Sequence, residues 1–266
     1  MDAGRPLSKV RDPAPRASLW VARAPENMPI DANALGPLLS AAEQEAANRF
    51  RVAGRRRRYL LGRLLLRHVL AELLDAAPAE IGIEAGHNNR PELTGPWADQ
   101  AERRLGLPLD FNLSSTPGRI ACGVALGARV GVDVEWPRPL DDLHELARTV
   151  LAPEEITWME AQDAPLHAFY RLWTLKEAAA KAHGEGLGLP FPALRLQPDE
   201  AGGLLADFDV LESHPTRWSV LGLEASGPAA LALHWNDGTP GKIELSPSWP
   251  QHTGLEPIPV EATARL

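Results

Sequence analysis

A single cysteine, Cys122, stands in the 266-residue chain. No intrachain disulfide can form, and a cysteine-built zinc site is excluded. Both absences favour a reducing, cytoplasmic setting. No apolar run reaches the length of a membrane-spanning helix. The nearest, from Leu60 to Leu74, is interrupted by Arg63, Arg67, His68 and Glu72. Residues 1–16 are rich in proline and arginine with no apolar stretch behind them, so they do not read as a secretory signal. There is no nucleophile elbow, Walker loop or dinucleotide glycine motif. The eight histidines are scattered without a His-x-x-x-His pair, so each reads as a surface residue rather than a ligand. Lysine is scarce, with four against twenty-three arginines.

What is present fits a soluble globular protein, with 44% hydrophobic and 23% charged residues. The length suits one large domain or two smaller ones. Net charge is −8, yet eight arginines and no acid lie between Arg49 and Arg67. A basic stretch in an acidic chain points to a bound polyanion. Nucleic acid is one such polyanion, disfavoured by the acidic remainder and the few aromatics.

Periodicity sketches the architecture. Residues 1–16 read as a disordered leader. Ser18 to Ala24 reads as a strand. Gly36 to Phe50 and Arg57 to Ala76 read as helices, the second with Leu61, Leu64, Leu65, Val69 and Leu73 on one face. Ile81 to Glu84 and Leu109 to Leu113 are short strands. Arg119 to Ala125 and Arg129 to Glu135 read as paired strands across a glycine turn. Leu140 to Val150 is helical, Pro153 opens another helix, and Leu166 to His183 forms a long one stopped by Gly184. Arg217 to Leu223 and Ala229 to Trp235 read as a hairpin. The plan is α+β, with two similar halves at 17–135 and 136–246 and a Pro-rich loose tail at 247–266.

Four clusters of residues carry chemistry. In Gly131-Val132-Asp133-Val134-Glu135, a strand sends Asp133 and Glu135 to one face and the valines to the other. Adjacent carboxylates repel unless a cation lies between them, and oxygen-only ligands suit Mg²⁺. The same pattern also describes an alternating surface strand. In the long helix, Trp173, Glu177 and Lys181 share one face, with Lys176 at its edge. Two of the four lysines lie here, where a compact charge suits a phosphate. The alternative is a solvated Glu–Lys pair. Arg55 to Arg58, with Arg63 and Arg67, form a basic helix. Phe111 to Gly118 places Ser114 and Ser115 at a polar strand-to-turn corner, where hydroxyls and N–H groups hold phosphate oxygens.

In this order, the four resemble the Sfp-type 4'-phosphopantetheinyl transferases over roughly residues 18–240. GVDVE followed some forty residues later by WTLKEAAAKAHGEGL is the most specific part. FNLSSTPG, NRPEL, RYLLGRLLLR and LAPEE are similar to further family segments. The resemblance implies two pseudo-two-fold-related halves with a cleft between them. It implies Asp133, Glu135 and Glu177 as Mg²⁺ ligands and Arg58 on the 3'-phosphate of coenzyme A. Lys181 and Arg90 would meet the pyrophosphate, Ser114 the phosphates, and Pro91 would shape the adenine loop. Ser115 replaces a family histidine, which removes one cation from the 3'-phosphate site.

The reaction implied is transfer of the phosphopantetheine arm from coenzyme A, the substrate, to a serine of an apo acyl or peptidyl carrier protein. Such carriers serve polyketide, nonribosomal peptide or fatty acid biosynthesis. Glu177 or a metal-bound water is the leading general base and Glu155 a weaker one, with Lys181 as the second cation. A cytoplasmic monomer is expected, without nucleic-acid or membrane partners. The alternatives are a degenerate paralogue that binds coenzyme A or a carrier without turnover, and an arginine-rich nucleic-acid-binding module.

Overall fold

Two four-stranded sheets pack face to face, and each carries helices on its outer side. The computed structural model describes residues 14–25, 27, 35–184, 188–198, 204–207, 218–236, 240–245, 247–250 and 253–265. The first half opens with β1 (Arg16–Ala24), α1 (Ala41–Arg49) and α2 (Ala53–Leu74). A small hairpin of β2 (Ile83–Ala85) and β3 (Pro91–Leu93) follows, then α3 (Pro96–Leu105), β4 (Leu109–Thr116) and β5 (Gly118–Leu126). The second half holds β6 (Ala128–Val134), α4 (Leu143–Val150), α5 (Pro153–Glu160) and α6 (Pro165–His183). It continues with β7 (Arg195–Pro198), β8 (Leu204–Asp207), β9 (Trp218–Glu224), β10 (Pro228–Trp235), β11 (Lys242–Leu245) and β12 (Glu261–Arg265).

The sheet orders are β11-β1-β5-β4 and β12-β9-β10-β6. Alternation along β5 and β6 explains the layering. Ile120, Cys122 and Val124 face the apolar side of α2, while Ala121 and Ala125 face Val130, Val132 and Val134 across the gap between the sheets. The opposite face of β6 turns to α6, whose Ala178, Ala179 and Ala182 pack with Ala230 and Ala232 of β10. The layers therefore run helix, sheet, sheet, helix, which is the expected α+β plan of two similarly built halves.

Several boundaries differ from the sequence reading. β5 and β6 do not pair; the chain turns at Gly127, φ +73°, and passes from one sheet into the other. The GVDVE strand is thus the first strand of the second half, not the last of the first. Gly123 permits the face-to-face crossing, because a Cβ there would stand 2.4 Å from Val132 Cγ1. The stretch expected to be a loose tail is anchored instead. Leu255 and Ile258 are buried, Ile258 N donates to Val21 O at 2.7 Å, and β12 pairs with β9. Apolar residues between the prolines give that stretch something to bury. β11 returns to the first sheet beside β1, so the halves interlock. β1 begins at Arg16, inside the expected leader, and residues 1–13 of that leader lie outside the described residues. The helix expected from Gly36 breaks at Leu39 and restarts behind a Ser40–Glu43 capping box. Among the described residues, no helix is long and apolar enough to cross a membrane.

Candidate active site

The site forms where the free edges of the two sheets meet. β4 and β6 lie side by side without a shared backbone ladder, and alternate side chains of β4 bridge them. Asp110 Oδ2 accepts from Val130 N at 2.7 Å, and Asn112 Oδ1 accepts from Val132 N at 3.0 Å. Ser114 Oγ donates to Asp133 Oδ1 at 2.8 Å, and Thr116 Oγ1 donates to Glu135 Oε2 at 3.2 Å. Residues i, i+2, i+4 and i+6 share one face of a strand, so a single polar edge of β4 sets the position of both carboxylates.

The third element is α6. Gly131 lets it approach, since a Cβ there would lie 1.9 Å from Ala178 O and 2.5 Å from Ala182 N. That approach puts Lys181 Nζ 2.6 Å from Asp133 Oδ1, 3.1 Å from Val132 O and 3.8 Å from Glu177 Oε2. Burial would lower the Lys181 pKa, but Asp133, Glu177 and Glu135 together raise it above its ordinary value, so the ammonium stays charged. Burial pushes Glu135 up, Asp133 adds to the rise, and Thr116, Lys181 and Trp173 offset part of it. Burial also raises Glu177, against the pull of Lys181.

Two adjoining cavities open from this point. One, of about 500 Å³, is lined by Arg49, Arg58, Arg63, Ser114 and Ser115. The other, of about 800 Å³, is lined by Arg90, Arg129, Glu177, Lys181 and His183. Asn89, Pro91 and Leu113 line both. The cleft therefore runs from the basic helix α2 to Glu177 and Lys181 on α6, and it brings together Arg58, Pro91, Ser114, Ser115, Glu177 and Lys181, while Asp133 and Glu135 lie behind Ser114, Thr116 and Lys181 and line neither cavity.

The donor set fits a hard divalent cation. Asp133 Oδ2 is buried without a partner, and Glu135 and Glu177 are oxygen donors crowded by the Asp133 charge. Among the described residues no group of three His, Cys, Asp or Glu is gathered tightly enough to cage an ion alone. Mg²⁺ does not need such a cage, because it takes one or two carboxylates together with water and substrate phosphate.

Three sequence expectations meet a different geometry. Glu155 is fully buried and away from the cleft. Its Oε2 takes Lys176 Nζ at 2.5 Å and Ala152 N at 2.6 Å, and its Oε1 takes Leu196 N at 2.7 Å. It is a structural anchor, not a base. Lys176 likewise does not face phosphate: its three N–H donors go to Glu155, Val150 O at 3.0 Å and Phe191 O at 2.9 Å. Arg90 lines the cleft but turns its guanidinium inward, to Asp110 Oδ2 and Val130 O at 2.6 Å and Lys181 O at 2.7 Å. Arg129 Nε also stands 3.3 Å from Asp110 Oδ2, so the two arginines share one carboxylate, and the half-exposed Arg129 lines the same cavity.

Sequence reasoning missed the bracing residues. Arg119 is buried and donates to Glu135 O at 3.0 Å and to Ser226 O, with its guanidinium 4.4 Å from the centre of the Trp136 ring. Gly227 leaves room for it. Burial lowers the Arg119 pKa from its ordinary value. The Asp-x-Asn-x-Ser-x-Thr alternation at 110–116 was the legible signal for the polar edge of β4.

Comparison with known proteins bears on the whole constellation. A family model described as 4'-phosphopantetheinyl transferase superfamily matches residues 129–233, and one described as 4'-phosphopantetheinyl transferase, N-terminal, matches residues 28–125. The chain is 32% identical over 155 residues to 4'-phosphopantetheinyl transferase HetI of Nostoc sp., covering 58% of this chain and 62% of that protein. It thus spans less than two thirds of that relative's length. It is 31% identical to 4'-phosphopantetheinyl transferase psf-1 of Bacillus pumilus, over 62% of this chain and 67% of that one. It is 30% identical to a phosphopantetheinyl transferase of Thraustochytrium sp., over 74% of this chain and 71% of that one.

Proposed function

The chain belongs to the 4'-phosphopantetheinyl transferase family, and from that premise we propose that it transfers the phosphopantetheine arm of coenzyme A to a serine of an apo carrier protein. One observation carries the reading. Asp133, with one oxygen buried and unpartnered, is held by Ser114 and Lys181, which line a cleft whose other end is walled by arginines.

In the proposed reaction the carrier serine Oγ attacks the phosphorus that bears the pantetheine arm. The new Oγ–P bond forms as the bridging P–O bond of the pyrophosphate breaks, and 3',5'-ADP leaves. Such a transfer needs positioning and charge neutralisation more than covalent help. One or two of Asp133, Glu135 and Glu177, with water and substrate phosphate, would hold Mg²⁺, which when bound supplies a Lewis-acid charge on the phosphate oxygens. Lys181 adds a fixed cation beside that position. Glu177 takes the serine proton, because of the three carboxylates it is the one that lines the cleft, and burial raises its pKa. Arg58 and Ser115 face the adenosine end, and Pro91 shapes the wall shared by the two cavities. Arg90 and Arg129, which share Asp110, wall the pyrophosphate side. One chain supplies both walls of the cleft, which supports a monomer.

The test is to incubate the chain with coenzyme A, Mg²⁺ and apo carrier proteins of the acyl and peptidyl types, then weigh the carriers. A phosphopantetheine gain that disappears in a folded Asp133→Ala variant is the expected result. Binding of coenzyme A without any mass gain on several carriers overturns it in favour of a non-catalytic paralogue.

A further inference from the structure

The turn between β2 and β3 reaches across the cleft to the second half. It carries two consecutive left-handed residues, Asn88 at φ +52° and Asn89 at φ +59°. Two strands of three residues each give such a hairpin little stability of its own. Its outer end is fixed by the second half instead. Asn88 Nδ2 donates to Gly184 O at 3.1 Å, and Arg90 Nη1 donates to Lys181 O at 2.7 Å. Both acceptors lie at the C-terminal end of α6, where the last carbonyls have no partner within the helix and a cation suits the dipole.

Arg90 grips β6 with its other terminal nitrogen. Nη2 donates to Val130 O and to Asp110 Oδ2, each at 2.6 Å, and Asp110 Oδ2 also accepts from Val130 N at 2.7 Å. Val130, just ahead of Asp133 on the strand, is thus held at both its N–H and its C=O. One planar fork therefore spans β6 and α6, the two elements that make the Lys181–Asp133 contact, and it does so from the first half. That contact is made from the last turn of a helix, the part that frays. The Arg90 side chain is 10% exposed, and both terminal nitrogens already have protein acceptors.

We propose that Arg90 is a positioning residue: it holds the end of α6 against β6 and so sets Lys181 Nζ on Asp133, rather than binding phosphate itself. This rests on the reading of the chain as a transferase that uses coenzyme A. A side chain that acts on phosphate offers its donors to the cavity, whereas these go to backbone carbonyls of two elements and to Asp110. Asn88 adds a second, uncharged tie to the same helix end. Without the fork the last turn of α6 is free to move from β6, and Lys181 then meets the substrate out of place. A lysine at position 90 keeps the charge of the cleft but is a point donor that cannot bridge both elements in one plane.

The experiment measures steady-state transfer to an apo carrier and calorimetric binding of 3',5'-ADP, on full chains shown by urea unfolding to be folded. Arg90→Lys should lower kcat about tenfold and change the 3',5'-ADP affinity by less than about twofold. In a Lys181→Met background the same substitution should change kcat by less than about twofold, because the residue it positions is gone. Asn88→Gly, which keeps the left-handed turn, should lower kcat about threefold with nucleotide affinity unchanged, and it carries the test if Arg90→Lys does not fold. A weakened 3',5'-ADP complex at unchanged kcat, an undiminished Arg90→Lys effect without Lys181, or Asn88→Gly at parental kcat overturns the proposal while leaving the transferase reading intact. If the parent chain moves no arm onto any carrier, the transferase reading itself fails.

Discussion

Ser114 Oγ donates to Asp133 Oδ1 at 2.8 Å, so an edge strand of the first sheet holds a carboxylate on an edge strand of the second. Ser114 also lines the arginine-walled cavity, and its hydroxyl therefore has two candidate duties. The bond to Asp133 is charge-assisted and fixes the carboxylate from the side opposite β10. Its loss frees Asp133 to turn toward Lys181 alone.

Ser114→Ala should therefore lower kcat about tenfold, equivalent to roughly 1.4 kcal/mol for one hydrogen bond to a charged group. Binding of 3',5'-ADP should change little. Steady-state transfer rates and nucleotide titration give the two readings. A large loss of nucleotide affinity with kcat unchanged would assign Ser114 to the phosphates instead.

Gly131→Ala tests the approach of α6 to β6. A methyl at 1.9 Å from Ala178 O meets backbone, which cannot rotate away. The helix must retreat or the strand must bend, at a cost of about 2–3 kcal/mol or more by the usual penalty for overpacking. Urea unfolding should show a lower midpoint. Because the retreat carries Lys181 away from Asp133, activity measured well below the midpoint should fall as well. A variant of unchanged stability would show that the strand and helix are not locked at this point.

How much of this was legible in the chain depends on the range of the signal. The parity of Asp133 and Glu135 is local, and the helical spacing of Glu177 and Lys181 is equally local. Each was readable, and the structure sets them beside one another. The partner of each strand was not readable. β5 and β6 look like a hairpin because they are adjacent and alternate, but their valines and alanines pack face to face rather than edge to edge. The helix at Pro96–Leu105 also escaped notice, since its polar sequence offers only a narrow apolar face. Lys176 and Lys181 are both lysines on one helix, yet one is sealed in the core and the other opens on the cleft. No spacing rule separates them without knowing what α5 and the segment at Phe191 bring to the first.

That difference makes a prediction about Glu155 and Lys176. Removing one partner of a fully buried pair leaves the other charged and unsolvated, at a cost of about 3–5 kcal/mol. Lys176→Met should therefore destabilise the chain strongly in thermal or urea unfolding. Adding Glu155→Leu to it should restore part of the loss, because an apolar pair of similar volume replaces the charges. Glu155→Gln should retain transfer activity per folded molecule, which a catalytic base at this position could not do. A specific activity reduced a hundredfold in folded Glu155→Gln would return Glu155 to the chemistry.

Glu135 and Glu177 link the cleft to pH and to the cation. Burial raises both above the ordinary carboxylate value of 4.5, with the Asp133 charge adding to the rise. Just above that value the folded chain holds protons that the unfolded chain has released. The stability these two groups contribute is present below 4.5 and is lost as pH rises through their raised values. A bound divalent cation favours the ionised carboxylates and so opposes the rise. Titrating the chain with MgCl₂ just above pH 4.5 should therefore release protons, seen as a dependence of the calorimetric heat on the ionisation enthalpy of the buffer. The release should fade as pH rises through the raised values of both groups, while thermal stabilisation by Mg²⁺ grows over the same interval. Glu177→Gln should reduce the release, and Asp133→Asn should weaken binding of the ion itself. Magnesium heats independent of the buffer at the lower pH would mean that the ion does not meet these carboxylates.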